Sequence, residues 1–473
     1  MINKKHYPSI FFIIMLGTLD VICFNGIVRG LLIPYLVELN IKDSTVYTIY
    51  CNTVTLVYMF PLLGAIISDY FLLGMNKTLL LGSTFILASM FLTVINNEMY
   101  VYYSLVFLII GSGLIKAITP PLLGKICRVK KINNDFSYFC QNISFNFGSI
   151  CGLFLIGSIG EYFGWKFGFF LGFLISICLF CFSLFNFIFY KEETKKSKYF
   201  FTIFTVLFFF IISYLYLNIS YLADIFTISI IFFIILKMVF LVKSEKSISK
   251  KEAVYILYMM FMSFIFVCLF EQSGSNLLLF CDRLTDKTIL DTCLPISFFR
   301  AFDPLFTVLI GFIYIIYFKY FMVKKHDTTN SLILNQYKFL VAFLLLTICF
   351  FIIYCVCSIN NVEISAWIIV SSYFLFALSE INIIPMGYAM IGYFDAKYNS
   401  TILTALWSSA LSLGSWGSGK IAILLTNRYL SKVENYNINS YSKIFESLFL
   451  ISNIFLLILI LILFFFKSKK INV

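Results

Sequence analysis

Asp20, Arg29, Lys116, Glu271, Asp303, Glu380 and Lys420 are charged residues set inside long apolar stretches of this 473-residue chain. A charge placed in hydrocarbon is costly, so each is a functional candidate by default. The plainer alternative is pairing between helices, or a place near a helix end where a long side chain reaches the interface. Arg29, Asp303 and Lys420 suit that alternative almost as well; Lys116, Glu271 and Glu380 are harder to fit to it. Lys116 and Glu380 carry opposite charges in opposite halves of the chain. A zwitterion such as a short peptide has an ammonium at one end and a carboxylate at the other. Its site needs an anion and a cation several ångströms apart, with apolar or aromatic pockets between them. Burial also disfavours the charged form of a carboxyl group, so buried acids can load and release protons near neutral pH. The same residues could then bind a solute and couple it to a proton gradient.

The elements that must carry these residues are membrane helices. The chain is 61% hydrophobic and 12% charged, with a mean hydropathy of +0.96, whereas soluble domains run roughly 25% charged. That excludes a soluble globular enzyme. Apolar runs of about 20 residues, the length that crosses a bilayer core, recur from Ser9 to Phe466. Spans are read at 9–36, 45–68, 77–96, 100–121, 136–158 and 166–190, then a pair at 199–217 and 221–242. Six more follow at 253–280, 296–320, 338–358, 364–393, 400–426 and 444–466. Counted without the inserted pair, the bundle spans are the first to the twelfth.

The net charge is 35 − 23 = +12, and its distribution orients the chain rather than marking a nucleic-acid partner. Lys4 and Lys5, Lys77, Lys125 to Lys131, Lys191 to Lys198, Lys243 to Lys251, Lys324 and Lys325, and Lys467 to Lys470 alternate with the weakly charged loops 37–44, 97–99, 159–165, 281–294 and 359–363. Lys and Arg accumulate on the cytoplasmic side. Both termini are therefore expected in the cytoplasm, and six, two and six spans meet the even number this requires. The expected architecture is an all-α polytopic membrane protein with an N-terminal six-helix bundle over 1–190, a linker with an inserted hairpin over 191–252, and a C-terminal six-helix bundle over 253–473. Two-bundle transporters bind their solute between the bundles near the midplane.

Other motifs carry less. The two histidines, His6 and His326, lie outside the spans and the thirteen cysteines scatter, so neither a metal site nor a cofactor is expected. Cys178 and Cys181 form a CxxC inside an apolar helix. Cys281 and Cys293 fall in one outward loop, where a disulfide is permitted but not demanded. Gly414 to Lys420 reads GSWGSGK, but Ile421 replaces the Ser or Thr of a phosphate-binding loop and no strand precedes it. Asn218-Ile219-Ser220 is a glycosylation sequon in a short turn close to the membrane. The N-terminal apolar run is too long for a cleaved signal and lacks a small-residue cleavage site. No nucleophilic, metal or acidic catalytic cluster is visible, so the protein is not expected to be an enzyme.

Five stretches in order resemble the proton-dependent oligopeptide transporter family, whose members have the major facilitator fold. Pro61-Leu62-Leu63-Gly64-Ala65-Ile66-Ile67-Ser68-Asp69, with Gly74 and Lys77-Thr78, resembles that family's second-span signature. Gly111-Ser112-Gly113-Leu114-Ile115-Lys116 is similar to its Gly-rich fourth span and lysine, and Phe145-Asn146-Phe147-Gly148-Ser149 to the core of its fifth. Phe270-Glu271-Gln272-Ser273-Gly274-Ser275 resembles the seventh, and Ser379-Glu380 with Pro385, Ser400-Thr401 and Trp407 the tenth and eleventh. The resemblance implies that Lys116 pairs with a peptide carboxylate or a nearby acid, and that Glu380 and Asn146 receive the amino group. It implies that Glu271 is a proton-responsive acid gating the outer side and that Tyr58 and Trp407 line the pocket, a role for which ordinary packing is an equal alternative. The pair at 199–242 resembles the two added helices of bacterial members, and the short loop 359–363 leaves no room for the extracellular domain of animal members.

The chain also departs from the pattern. Where the family's first span carries two glutamates and an arginine, this one reads Gly17-Thr18-Leu19-Asp20-Val21, so one shortened acid, Asp20, remains for proton coupling. Arg29 falls one residue beyond the carboxylate-binding arginine, and one residue rotates a helix position by about 100°. Cys51 stands where animal members have histidine. Asp303 replaces the asparagine before proline in the eighth span, adding a negative charge near the expected amino-group site. The leading expectation is a secondary active importer of di- and tripeptides with protons in the plasma membrane, by alternating access. The rivals are a transporter of nitrate or another small solute on the same fold, and a non-transporting, receptor-like derivative.

Overall fold

The computed structural model describes residues 8–61, 64, 67–68, 74–95, 98–130, 134–190, 199–243, 250–289, 291–321, 331–359, 364–398, 402–430 and 437–468. Chain contacts divide it into two compact units, Met1–Phe226 and Thr227–Val473, with the boundary inside the second inserted helix.

The first unit opens with a long first span made of Ile10–Phe24, a π-helical turn Asn25–Leu31 and Leu32–Glu38. Ser9 caps its start by accepting the Phe12 amide at 3.2 Å. Helices Asp43–Met59, Met75–Ile95 and Glu98–Lys130 form the second to fourth spans. The fifth runs Asn134–Gly152, passes through a second π-helical turn, Leu153–Ser158, and continues to Phe163. The loop expected at 159–165 is thus a single corner at Gly164, whose φ of +100° suits glycine, before the sixth span Trp165–Phe189.

Glycines set the helix spacing here. Gly82 and Gly111 face each other across the third and fourth spans, where a Cβ on Gly111 would stand 2.7 Å from the Gly82 carbonyl oxygen. The two π-helical turns also face each other, and a Cβ on Gly30 would lie 3.1 Å from the Gly157 Cα. Close approach leaves room for interhelical hydrogen bonds: Thr18 with Ser144 at 2.7 Å, and Asn25 Nδ2 to Ser149 Oγ at 2.5 Å. The first inserted helix, Tyr199–Asn218, docks on the second and fourth spans of this unit. Tyr214 stacks on Tyr103 at 5.3 Å, and Asn52 Nδ2 donates to the Tyr216 carbonyl at 3.1 Å. The second, Ser220–Lys243, follows after Ile219, giving the expected hairpin.

In the second unit the seventh span runs Lys250–Phe270, breaks as a 3-10 turn at Glu271–Gly274, and resumes as Asn276–Leu284. Cys281 therefore lies in a helix, fully buried, not in the outward loop expected for it, while Cys293 is exposed. The loop holds two short strand pairs, Thr285–Asp286 beside Ile364–Ser365 and Thr288–Ile289 against Thr292–Cys293. The eighth to twelfth spans are Ile296–Phe321, Ser331–Ile359, Ala366–Tyr398, Ile402–Tyr429 and Ile438–Ser468. One apolar core joins them, from Phe266 and Phe280 to Phe343, Phe376, Trp407 and Phe445.

These are fourteen helical segments in all, and among the described residues eleven are long and apolar enough on their own to cross a membrane. The second inserted helix falls short in its described apolar stretch, the second span in length, and the eleventh, rich in serine and glycine, in hydropathy.

Candidate functional site

In the first unit the apolar packing brings one ion pair inside. Lys116 Nζ stands 2.7 Å from Asp20 Oδ2, joining the fourth span to the first. Asp20 is 1% exposed and the Lys116 side chain 15%. Lys116 also donates to Ser112 Oγ one turn back, and its ammonium lies 4.8 Å from the centroid of Phe24. Tyr58 meets Phe24 edge-on at 6.2 Å. Four groups from three spans thus form one cluster: a cation, its carboxylate, and two aromatic rings. A buried pair of this kind is stable only while both partners keep their charge, so neutralising Asp20 would free Lys116 for another anion.

Arg29 stands further along the same first span. Phe24 follows Asp20 by four residues, one α-turn. Arg29 follows Phe24 by five, and lies in the π-helical turn Asn25–Leu31, whose repeat is i to i+5. Arg29 is partly buried there. The opposite face of that turn, Gly26 and Gly30, packs on Ile156 and Gly157. Asn146 is half-buried and donates to the Asn142 carbonyl of its own helix at 3.1 Å.

The second unit has its own charged cluster. Glu271, in the seventh-span break, is paired at 3.8 Å with Arg300 of the eighth. Sequence reasoning passes over Arg300, because it stands near the start of its span and reads as an edge residue. The structure buries it to 1% exposure. Asp303, one turn further along, is buried at 3%. Glu380 is half-buried on the tenth span, beside Ser379, whose hydroxyl donates to the Phe376 carbonyl at 2.7 Å. Lys420 lies 5.7 Å from the ring centroid of Trp416. Trp407 is fully buried in the core of this unit against Gly387. Among the described residues no group of His, Cys, Asp and Glu could hold a metal ion.

Helices of membrane-crossing length in two units, with charged residues buried among them, describe a polytopic membrane protein. The chain belongs to the POT family, whose model matches residues 71–443. It is 19% identical to the dipeptide and tripeptide permease A of Proteus mirabilis, over 91% of this chain and 89% of the relative. It is 22% identical to the dipeptide and tripeptide permease B of Photorhabdus luminescens, over 84% of this chain and 83% of the relative. Among solved structures, tetrameric PepTSo2 matches with a TM-score of 0.78 at 17% identity, covering 99% of this chain and 100% of that one. A POT family transporter in complex with 5-aminolevulinic acid matches at 0.76 and 17% identity, covering 95% of each chain.

Proposed function

We propose that this integral membrane protein is a secondary active importer of di- and tripeptides, driven by protons, that works by alternating access of the bundles 1–190 and 253–473 around the inserted segment 191–252. The observation that carries the reading is the buried Lys116–Asp20 pair, 2.7 Å long and faced by Phe24. Protonation of Asp20 removes the charge that occupies Lys116, and the ammonium then receives a peptide carboxylate, with Arg29 of the first span as a second cation. Proton uptake and carboxylate binding become one event, which is what coupling requires. Glu380 and Asn146 receive the peptide ammonium, and Tyr58 contributes an aromatic wall. Asp303 and Glu271 supply further negative charge in the second unit. The peptide permease names of the relatives support the substrate class, and the Lys/Arg asymmetry of the loops supports both termini in the cytoplasm.

The test is uptake of a labelled dipeptide into proteoliposomes with and without an inward proton gradient. Accumulation that requires the gradient is expected. Uptake indifferent to the gradient would refute coupling, and no uptake of any peptide would refute the substrate class.

A further inference from the structure

The seventh-span break is held from three other helices. From the eleventh span, Ser418 accepts Gln272 Nε2 at its hydroxyl and carbonyl, at 2.9 and 3.0 Å. From the tenth, Tyr373 Oη donates to the Ser273 carbonyl at 3.0 Å. From the eighth, Arg300 Nη1 donates to Ser273 Oγ at 2.5 Å while Nη2 stands 3.8 Å from Glu271 Oε2. The guanidinium also lies 5.9 Å from the centroid of Tyr373. A helix interrupted in mid-membrane leaves carbonyl groups that need new donors, and an arginine buried this deeply needs acceptors for its own. Tyr373 supplies a donor to the Ser273 carbonyl, and the Ser273 hydroxyl and Glu271 carboxylate face the guanidinium of Arg300.

The break separates two helices that are otherwise continuous, so whatever fixes its geometry fixes the segment Asn276–Leu284 beyond it. Tyr373 lies seven residues before Glu380 on the tenth span, which puts both on one helix face two turns apart. The fastening of the break is thus on the same helix face as the acid assigned to the peptide ammonium.

We propose that Arg300 is a positioning residue: with Tyr373 it latches the break Glu271–Gly274, so that Asn276–Leu284 shifts only when the guanidinium releases Ser273 and Glu271. Its consequence for transport rests on the peptide-importer reading and falls on the rate of the conformational step, not on substrate affinity. The segment contains its own reporter, Cys281, which is fully buried, as is Cys349 in the ninth span, whereas Cys293 is exposed.

The experiment is thiol labelling of the full chain in proteoliposomes with N-ethylmaleimide, read cysteine by cysteine through peptide mass spectrometry, beside dipeptide uptake. In the original chain Cys293 reacts quickly and Cys281 and Cys349 slowly. Arg300→Gln should speed Cys281 at least about tenfold and leave Cys349 unchanged, the pattern of a local opening. Arg300→Lys should show a smaller rise, because it keeps the charge and loses the fork. In uptake, Arg300→Gln should lower the maximum rate at least about fivefold per folded molecule with apparent KM within about twofold. An unchanged Cys281 rate, or Cys281 and Cys349 rising together, would overturn the latch. If Arg300→Gln does not fold, Tyr373→Phe, which deletes one hydroxyl, carries the same labelling test. A chain that shows the Cys281 response but takes up no peptide would leave the latch standing and sink the transport reading.

Discussion

Replacing Lys116 with alanine removes three interactions at once: the 2.7 Å bond to Asp20, the bond to Ser112 and the contact over Phe24 at 4.8 Å. The direct attraction of a pair this close amounts to about 6 kcal/mol at an effective dielectric of about 20. Most of that offsets the cost of burying the charges, so the measurable quantity is what happens when one partner is lost. Asp20, 1% exposed, would be left as a buried anion without its cation, a loss of about 3–5 kcal/mol of stability. At about 1.4 kcal/mol per factor of ten, that is two to three orders of magnitude in the folded equilibrium. Neutralising both partners, as Lys116→Ala with Asp20→Asn, should recover at least about half of it, because no unpaired charge remains. Thermal unfolding in detergent measures the four corners of this cycle, and proteoliposome uptake measures their function. Lys116→Ala should insert in the membrane and lose gradient-driven uptake. Asp20→Asn should lose accumulation against a gradient yet keep exchange of peptide across the membrane, since Lys116 is then permanently free. If Asp20→Asn accumulates peptide as the original chain does, protons are not coupled through Asp20. If the double variant is as unstable as Lys116→Ala, the pair is not what holds the two spans at this level.

Glu380→Gln should raise the apparent KM for dipeptides with a free amino terminus at least about tenfold, a loss of about 1.4 kcal/mol; N-acetylated dipeptides should be poor substrates and much less affected, and equal losses for both would remove Glu380 from the site. Gly30→Leu pushes a side chain into the Gly157 backbone, 3.1 Å from where its Cβ would stand, and should cost about 1–3 kcal/mol, seen as a lower Tm; an unchanged Tm would show that the two π-helical turns do not need this close approach. Membrane-impermeant maleimide should reach Cys293 from outside intact cells and tags at both termini should be cytoplasmic. Labelling of Cys293 in inside-out vesicles alone would reverse the orientation drawn from the loop charges.

The sequence by itself determined an all-helical membrane architecture, because bilayer thickness converts directly into runs of apolar residues, and loop charges into an expected orientation. Both signals are local, and both survive the absence of any partner information. It also picked out Asp20 and Lys116 as charges that must avoid lipid, and their pairing gives the physical reason that both can be buried. What it could not supply was phase and partnership. Arg29 is one residue out of step along an ideal helix, and the π-helical turn that carries it is seen only where the first and fifth spans press their glycines together. Arg300 reads as an edge residue until the seventh span is seen to break beside it, and the contact of Trp407 with Gly387 is seen only in the packed unit. Composition and spacing act along one chain, whereas these assignments depend on which helix faces which, and that is decided by close packing between segments far apart in sequence.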